Sequence, residues 1–383
     1  MKLLFTGDIN FRGLSEPNSK MCSDILAEIL PYFERADFRI VNLETPLANK
    51  EKHTPIKKSG PNLICAPNNI LFLDTLHTDV CTLANNHTGD FGEGAVIDTL
   101  KLLDTHSIRY CGAGANIDRA YDACRLEKDG FSISLISVCE NEFGIATEAT
   151  YGSAGYNARR LMNKIKQEKN VSDAVIVVFH GGNEFNPLPS PDCQDRYRLI
   201  CDMGADAVIA GHTHCPQGYE LYDGKPIIYS MGNFLFKSSS ELPENNSWHN
   251  GYMTELDINN SGIEFSIIPY KFNQSATRIT VFEGENRDKV LTYVDELSKI
   301  TQDHDLLDKY FSGWSYLHRW WISQAPSDFS DLSKYDSSGN LNLIRCESHY
   351  SQAKKSLEFC FLDKVKEAEA WSEKITELAK MPI

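Results

Sequence analysis

The chain has 383 residues, enough for one large domain with an appendage or for two domains. Hydrophobic residues make up 42% of the sequence and charged residues 24%, as in soluble globular proteins. The net charge of −15 argues against nucleic-acid binding through bulk charge and against adhesion to anionic membranes. It does not exclude an anionic substrate, because bound cations can invert the local field.

The cysteine content and the hydropathy of the sequence indicate the cellular compartment of the protein. The eleven cysteines are scattered, odd in number and free of any C-x-x-C pair, which favours reduced thiols over a disulfide framework. Residues 1–8 form too short an apolar run for a signal peptide. No stretch approaches the roughly 20 apolar residues of a membrane span. We therefore expect a cytoplasmic protein without a membrane segment.

Strands alternate with helices over the first 235 residues. Short apolar runs predict strands at residues 3–6, 38–42, 80–83, 109–111, 131–138, 174–179, 205–210 and 226–230. Helical spacing of apolar residues predicts helices at 22–33, 69–76, 92–104, 157–169 and 194–203. This order indicates a layered α/β fold with crossover connections. Two β-runs at 252–258 and 262–269, joined by Asn259-Asn260-Ser261, predict an antiparallel hairpin.

The character of the sequence changes after about residue 280. Residues 287–300, 305–323 and 347–378 have helical patterns with charge pairs, and residues 325–339 form a polar connector. We therefore predict a body at residues 1–279 and a helical extension at 280–383 that packs against it.

Polar side chains suited to a metal follow five predicted strands. Gly211-His212-Thr213-His214 is the most specific of these stretches, because neutral imidazole is the commonest side-chain ligand of transition metals. We expect Gly211 to allow a turn that points both histidines into one pocket. If these strands share a sheet, their ends converge and bring together Asp8, Glu44, Asn86, His180, His212 and His214.

The size of this set favours two metal ions over one. Six candidate ligands exceed what one tetrahedral site uses, and the Glu44 carboxylate can bridge two cations. Mixed nitrogen and oxygen ligands suit manganese, iron or zinc. Two such ions can clamp the attacking and leaving oxygens of an in-line displacement.

The motifs carry a resemblance to a known family. The order Gly-Asp, carboxylate, Asn-His, His, Gly-His-x-His resembles the calcineurin-like metallophosphoesterase superfamily. The stretches at 41–44, 83–90, 180–184 and 229–234 look like its CapA branch, which is named for capsule and poly-gamma-glutamate biosynthesis. The resemblance covers roughly residues 1–270. It implies a four-layer α/β/β/α metallophosphoesterase-like sandwich, here with a helical C-terminal extension.

The resemblance also implies roles for single residues. One metal would be held by Asp8, Glu44 and His214, and the other by Glu44, Asn86, His180 and His212. A hydroxide bridging the ions would be the nucleophile. His87 would face the substrate and assist the leaving group, with Asp90 holding its tautomer. Further candidates for contacts around the ligands are Asn10, Glu184 and Asn233.

The chain departs from the family pattern at three positions. Asn10 stands where many members have histidine, and Glu44 stands where aspartate is more usual. The final loop has His212-Thr213-His214-Cys215-Pro216 where the CapA branch commonly has His-His-Pro-His. Cys215 is either a nearby soft ligand or a small space-filling residue.

We predict a dinuclear metal-dependent hydrolase of phosphomonoester or phosphodiester bonds. The alternatives are an accessory protein of polyglutamate or capsule assembly, and a metal-dependent hydrolase of amide (gamma-glutamyl) bonds. The substrate would be a small molecule or derive from a polymer, and the sequence does not define the oligomeric state. Substrate-selecting residues are expected in the loops at 15–20, 50–62, 140–155, 183–195 and 237–250.

Overall fold

The computed structural model describes residues 1–14, 16–243, 245–320 and 337–383. The strands in this part of the chain are β1 (Lys2–Asn10), β2 (Phe38–Leu43), β3 (Val80–Thr82), β4 (Arg109–Cys111), β5 (Ala113–Gly114), β6 (Cys124–Lys128), β7 (Phe131–Cys139), β8 (Gly152–Ser153), β9 (Ala174–His180), β10 (Ala207–Gly211), β11 (Tyr219–Tyr222), β12 (Lys225–Ile228), β13 (Asn233–Phe236), β14 (Asn250–Asn259), β15 (Gly262–Phe272) and β16 (Ile279–Val281).

Helices lie between the strands and fill the C-terminal region. They are α1 (Ser19–Leu26), α2 (Leu30–Glu34), α3 (Ile70–Thr75), α4 (Gly92–Thr105), α5 (Ile117–Ala120), α6 (Ala158–Lys169), α7 (Pro191–Asp202), α8 (Gly284–Gln302), α9 (His304–Leu317), α10 (Ser338–Arg345), α11 (Glu347–Phe361) and α12 (Val365–Leu378). Short 3₁₀ turns occur at Lys50–Lys52, Pro67–Asn69 and Ser247–His249. The end of the predicted helix 305–323 and most of the predicted polar connector lie outside the described residues.

Two large sheets form the body. The first has the order β16-β15-β14-β1-β2-β3-β4, with β13 also paired to β1, and the second has the order β11-β12-β10-β9-β7-β6. The pairings of β1 with β2 and β13, and of β9 with β10, are parallel. The predicted hairpin is confirmed, because β14 and β15 pair antiparallel from Asn250↔Lys271 to Asn259↔Gly262.

The register of the parallel strands places several of the candidate metal ligands and their neighbours opposite one another. Asp8 on β1 lies opposite Asn42 on β2 and Asn233 on β13. In the second sheet, His180 at the end of β9 lies opposite Gly211 at the end of β10. The carboxyl ends of parallel strands meet at one edge of each sheet, so polar residues distant in sequence are brought together there.

Three apolar clusters separate four layers. Successive side chains of β1 alternate between them: Leu3 and Phe5 enter the core between the sheets, and Leu4 enters the outer core that α1, α3 and α4 cover. The outer face of the second sheet packs against α6 and α7, for example through Leu161 and Tyr197. The predicted four-layer α/β/β/α sandwich is therefore confirmed.

The C-terminal helices add to the core between the sheets. Apolar side chains of α8 and α9, such as Val294, Leu297 and Phe311, belong to the same cluster as Phe5. The strand β16 belongs to the first sheet and extends across the predicted boundary at residue 279. The division into a body and a helical extension stays a prediction. In the described part of the chain, no helix has both the length and the apolar character needed to cross a membrane.

Two predicted helices are each divided in the structure. The predicted helix 22–33 becomes α1 and α2, because Pro31 has no backbone N–H and fits only the first turn of a new helix. The predicted helix 347–378 becomes α11 and α12, with Asp363 in a left-handed conformation (φ 56°) between them. Local sequence patterns do not predict strands β5, β6, β8, β11, β13 and β16 or helices α5 and α10.

Candidate metal centre

The polar strand ends converge between the two sheets. Asp8 and Glu44 come from the first sheet and its loops, whereas His180 and His212 come from the end of the second sheet. The expectation that the ligand-bearing strands share one sheet is therefore wrong. The cluster forms where the carboxyl ends of two facing sheets meet. All its members are buried, with exposed fractions of 7% or less: Asp8, Glu44, Asn86, His87, His180, His212 and His214.

Glu44 lies at the centre of this cluster. Among the described residues, neither of its carboxylate oxygens has a hydrogen-bond partner, although both are buried. Burial raises the pKa of Glu44 well above its usual value, and the nearby carboxylates of Asp8 and Glu184 raise it further. A buried carboxylate without donors is costly unless a cation compensates it, so the position fits a metal ion.

The first ligand group comprises Glu44, His180 and His212. His180 Nε2 lies 3.1 Å from His212 Nδ1, 3.1 Å from Asn86 Oδ1 and 3.7 Å from Glu44 Oε1. Ligand atoms on a tetrahedral ion with bonds of about 2.1 Å are separated by about 3.4 Å. The spacing of these four atoms therefore suits a single transition-metal ion.

The second ligand group comprises Asp8, Glu44 and His214. His214 Nε2 lies 3.7 Å from Glu44 Oε1, and His214 Nδ1 lies 2.9 Å from Asn233 Oδ1. The Asn233 amide oxygen can only accept, so it fixes the proton on Nδ1 and leaves the Nε2 lone pair directed at Glu44. The Asp8 carboxylate is held by two donors, Asn42 Nδ2 at 2.6 Å and the His212 backbone N–H at 2.8 Å.

The two histidines after β10 adopt unusual backbone conformations. His212 has φ 97° and His214 has φ 56°, whereas Gly211 does not adopt a positive φ. The expected reason for the glycine is therefore corrected. A Cβ at Gly211 would lie 2.7 Å from Asp8 Oδ1, so glycine is needed to leave space for a ligand carboxylate. Positive φ at residues other than glycine is costly and concentrates at functional sites.

Burial keeps the histidines suited to metal binding. It lowers the pKa of His180 well below its usual value, and neighbouring His212, His214 and His87 lower it further. Burial also lowers the pKa of His214, against the opposing effect of Glu184 and Asp8. Both rings are consequently neutral near pH 7, which is the form that coordinates metals.

His87 lies beside the cluster and contacts a carboxylate–lysine pair. Its Nδ1–H donates to Asp90 Oδ2 at 2.6 Å, and its Nε2 faces Glu44 Oε1 at 3.9 Å. Asp90 also accepts from the backbone N–H of Leu63 and from Lys58 Nζ, which is 2.5 Å from Oδ1. The Lys58 side chain is only 4% exposed. This arrangement fixes the His87 tautomer and directs Nε2 towards the ligand groups.

The other predicted residues, Asn10, Glu184 and Cys215, belong to neither ligand group. Asn10 donates to the Glu44 carbonyl at 2.9 Å and accepts from the Arg12 backbone, so it supports the loop that bears Glu44. Glu184 is exposed, and its charge acts on Glu44 and His214. Cys215 contacts the Asn186 carbonyl through Sγ at 3.2 Å, and burial raises the pKa of its thiol to about 12. A protonated thiol in this position favours the space-filling interpretation.

Three residues near the cluster were not identified individually from the sequence. Asn42 Nδ2 lies 3.2 Å from His180 Nδ1 as well as contacting Asp8, and Asn42 belongs to the stretch 41–44 that resembles the CapA branch. Lys58 and Glu142 lie in two of the loops expected to select the substrate. Glu142 Oε1 lies 3.9 Å from His212 Nε2. Burial would raise the pKa of Glu142, but His349, His212 and the Asn342 amide outweigh it and lower the pKa to about 2.

Together, the four-layer sandwich and the histidine–carboxylate cluster define an α/β/β/α protein with a buried candidate metal centre. The family model for the bacterial capsule synthesis protein PGA_cap matches residues 2–238, and the chain belongs to this family. The predicted CapA-like branch is therefore confirmed.

The relatives include CapA proteins of two bacilli. The chain is 27% identical over 246 residues to the capsule biosynthesis protein CapA of Bacillus anthracis, a match that covers 62% of this chain and 60% of that protein. It is 26% identical over 320 residues to the PGA biosynthesis protein CapA of Bacillus subtilis, covering 80% and 83%. Among solved structures, a novel phosphatase of Mycoplasma pneumoniae aligns with 17% identity and a TM-score of 0.43, covering 70% of this chain and 92% of that one.

Proposed function

We propose that the protein is a dinuclear metal-dependent hydrolase that cleaves phosphomonoester or phosphodiester bonds. The observation that carries the proposal is the shared position of Glu44, which belongs to both ligand groups and has two buried carboxylate oxygens without donors among the described residues. A carboxylate in this position suits a bridge between two cations. The ligand set of nitrogen and oxygen atoms suits manganese, iron or zinc.

The side chains around the ions would have different roles in the reaction. When bound, the divalent ions would polarise the scissile group and lower the pKa of a water molecule. His214, Asp8 and Glu44 would hold one ion, and Glu44, Asn86, His180 and His212 the other. His87, protonated at Nε2, would give its proton to the leaving oxygen as the ester bond breaks. Asp90 would hold the imidazole and stabilise its positive charge, and Lys58 would hold Asp90 in place.

The role of His87 can be tested with two leaving groups. In Mn²⁺-loaded protein, we expect His87→Ala to lower kcat by about 10²- to 10⁴-fold. The loss should be larger for phenyl phosphate than for p-nitrophenyl phosphate, because the poorer leaving group depends more on protonation. His106→Ala is a matched control, since His106 pairs with Asp74 at 3.0 Å outside the cluster. Equal turnover of wild type and His87→Ala on both substrates would contradict the assignment.

A second candidate function follows from the family. The same centre can act on a carbonyl carbon, and the family's association with polyglutamate favours a gamma-glutamyl amide as the alternative substrate. Turnover of gamma-glutamyl p-nitroanilide without turnover of either phosphate would select it. Wild-type protein that binds no metal and hydrolyses none of these probes would favour an accessory role in polymer assembly. The eleven free thiols favour action in a reducing compartment such as the cytoplasm.

A further inference from the structure

The C-terminal helices bind a loop that borders the metal cluster. Three successive loop residues each have a partner on α10 or α11. Ser348 Oγ donates to Glu140 at 2.6 Å, and the Asn141 backbone N–H donates to Glu347 at 2.9 Å. Asn342 Nδ2 donates to Glu142 Oε2 at 2.9 Å. The loop that carries Glu142 is therefore held in place by residues outside the region that the family model matches, which ends at residue 238.

Glu142 connects this interface to a candidate metal ligand. Its Oε1 lies 3.9 Å from His212 Nε2, and the opposite ring nitrogen of His212 lies 3.1 Å from His180 Nε2. His212 thus presents Nδ1 to the ligand group and Nε2 to a carboxylate. Metal-binding histidines almost always direct their second ring nitrogen at a carboxylate, a carbonyl or a water, which fixes the ring orientation and raises its basicity.

Glu142 in turn depends on the helices for its position. Its side chain is 11% exposed, and the Asn342 amide is its hydrogen-bond donor from α10. The same amide nitrogen lies 3.3 Å from His349 Nδ1 on α11. Arg345 extends over the ring of Phe143, the next residue in the loop, at 4.0 Å. These contacts surround Glu142 with polar and cationic groups from the C-terminal region.

We infer that Glu142 and Asn342 are positioning residues of the metal centre, so that the C-terminal helices form part of it. Asn342 orients the Glu142 carboxylate, and Glu142 orients the His212 ring for the ion that His212 shares with His180. The inference deepens the proposed function and rests on it. It assigns the helical region beyond the family model a direct effect on metal affinity.

The test measures Mn²⁺ binding to chelator-stripped, full-length protein by calorimetric titration. We expect Glu142→Gln to weaken one of two Mn²⁺ sites by about 10- to 100-fold and to leave the other unchanged. Asn342→Ala should weaken the same site by a smaller factor. The double variant should bind no more weakly than Glu142→Gln, because Asn342 acts through Glu142.

Two control variants match the substitutions. Glu148→Gln removes a carboxylate from the same loop at a position that is 77% exposed. Gln352→Ala removes a C-terminal amide that contacts Asn183 instead of Glu142. Both should bind Mn²⁺ like the wild type, and circular dichroism checks that every variant is folded.

The outcomes separate this inference from the proposed function. If the wild type binds two Mn²⁺ ions and both Glu142→Gln and Asn342→Ala bind them with unchanged affinity, the inference alone is overturned. Losses that add in the double variant would also overturn it. A wild type that does not bind two Mn²⁺ ions would overturn the proposed dinuclear function, and the inference with it.

Discussion

At the scale of single residues, buried ionisable groups dominate the site. Glu44 has two carboxylate oxygens without a donor among the described residues, and burial raises its pKa. His180 lies 3.7 Å from it, and burial lowers the pKa of this ring. Both shifts disfavour the charged form in the metal-free protein. The site is therefore a source of instability that a bound cation would relieve.

The lowered pKa of His180 predicts a pH dependence of stability. Below the ordinary histidine pKa of 6.5, the unfolded chain takes up a proton at this residue while the folded chain does not. The free energy of unfolding of metal-free protein should therefore fall as the pH drops below 6.5, by up to about 1.4 kcal/mol per pH unit for this group. The raised pKa of Glu44 has the opposite sign, because it lowers stability as the pH rises above 4.5.

Urea unfolding at pH 5, 6 and 7 in the presence of a chelator isolates the histidine contribution. His180→Asn should show a smaller decrease in the free energy of unfolding between pH 7 and pH 5 than the wild type. An identical decrease in the two proteins would contradict the account of this residue.

At the scale of elements, the end of β10 shows what local sequence can and cannot predict. The apolar run before Gly211 correctly predicts a buried strand whose end carries ligand candidates. The reason for the glycine is non-local, because the space it leaves is occupied by Asp8 from the neighbouring sheet. Which strands share a sheet also depends on long-range pairing, so the apolar runs predict that the strand ends converge but do not assign each ligand-bearing strand to one of the two facing sheets.

Dependence on long-range contacts also explains why Lys58 and Glu142 could not be identified from the sequence. Lys58 and Glu142 lie in loops, whose conformations depend on contacts with distant elements rather than on local spacing. Lys58 reaches Asp90 across 32 residues, and Asn342 reaches Glu142 across 200. In contrast, Asp90 lies three residues from His87 and was predicted as its partner.

Gly211 provides a test at this scale. In Gly211→Ala, the new Cβ would lie 2.7 Å from Asp8 Oδ1, so the carboxylate must move and Mn²⁺ affinity should fall at least tenfold at the site that includes Asp8. Gly224→Ala is the control, because its Cβ meets no atom within 4 Å although φ is 76°. The control should lose about 1 kcal/mol of stability from backbone strain and keep its Mn²⁺ affinity. Equal affinity in both variants, measured by calorimetric titration, would contradict the steric argument.

At the scale of the whole molecule, the site joins parts of the chain that are far apart in sequence. The first sheet and its loops supply Asp8, Glu44 and Asn86, and the second sheet supplies His180, His212 and His214. The C-terminal helices pack into the core between these sheets and hold the loop of Glu142. Metal binding should consequently report on the assembly of all three parts.

His212 and His214 are expected to bind different metal ions. Their ring centroids are 6.0 Å apart, and each belongs to a different ligand group with Glu44 in common. Each histidine should therefore serve its own ion, with His180 beside the first and Asp8 beside the second.

The metal content of single and double variants distinguishes the two histidines. Protein purified with Mn²⁺ and measured by mass spectrometry should contain two ions per chain in the wild type. We expect one ion in His212→Ala, one in His214→Ala and none in the double variant. A single ion in the wild type, lost completely with either histidine, would contradict the account.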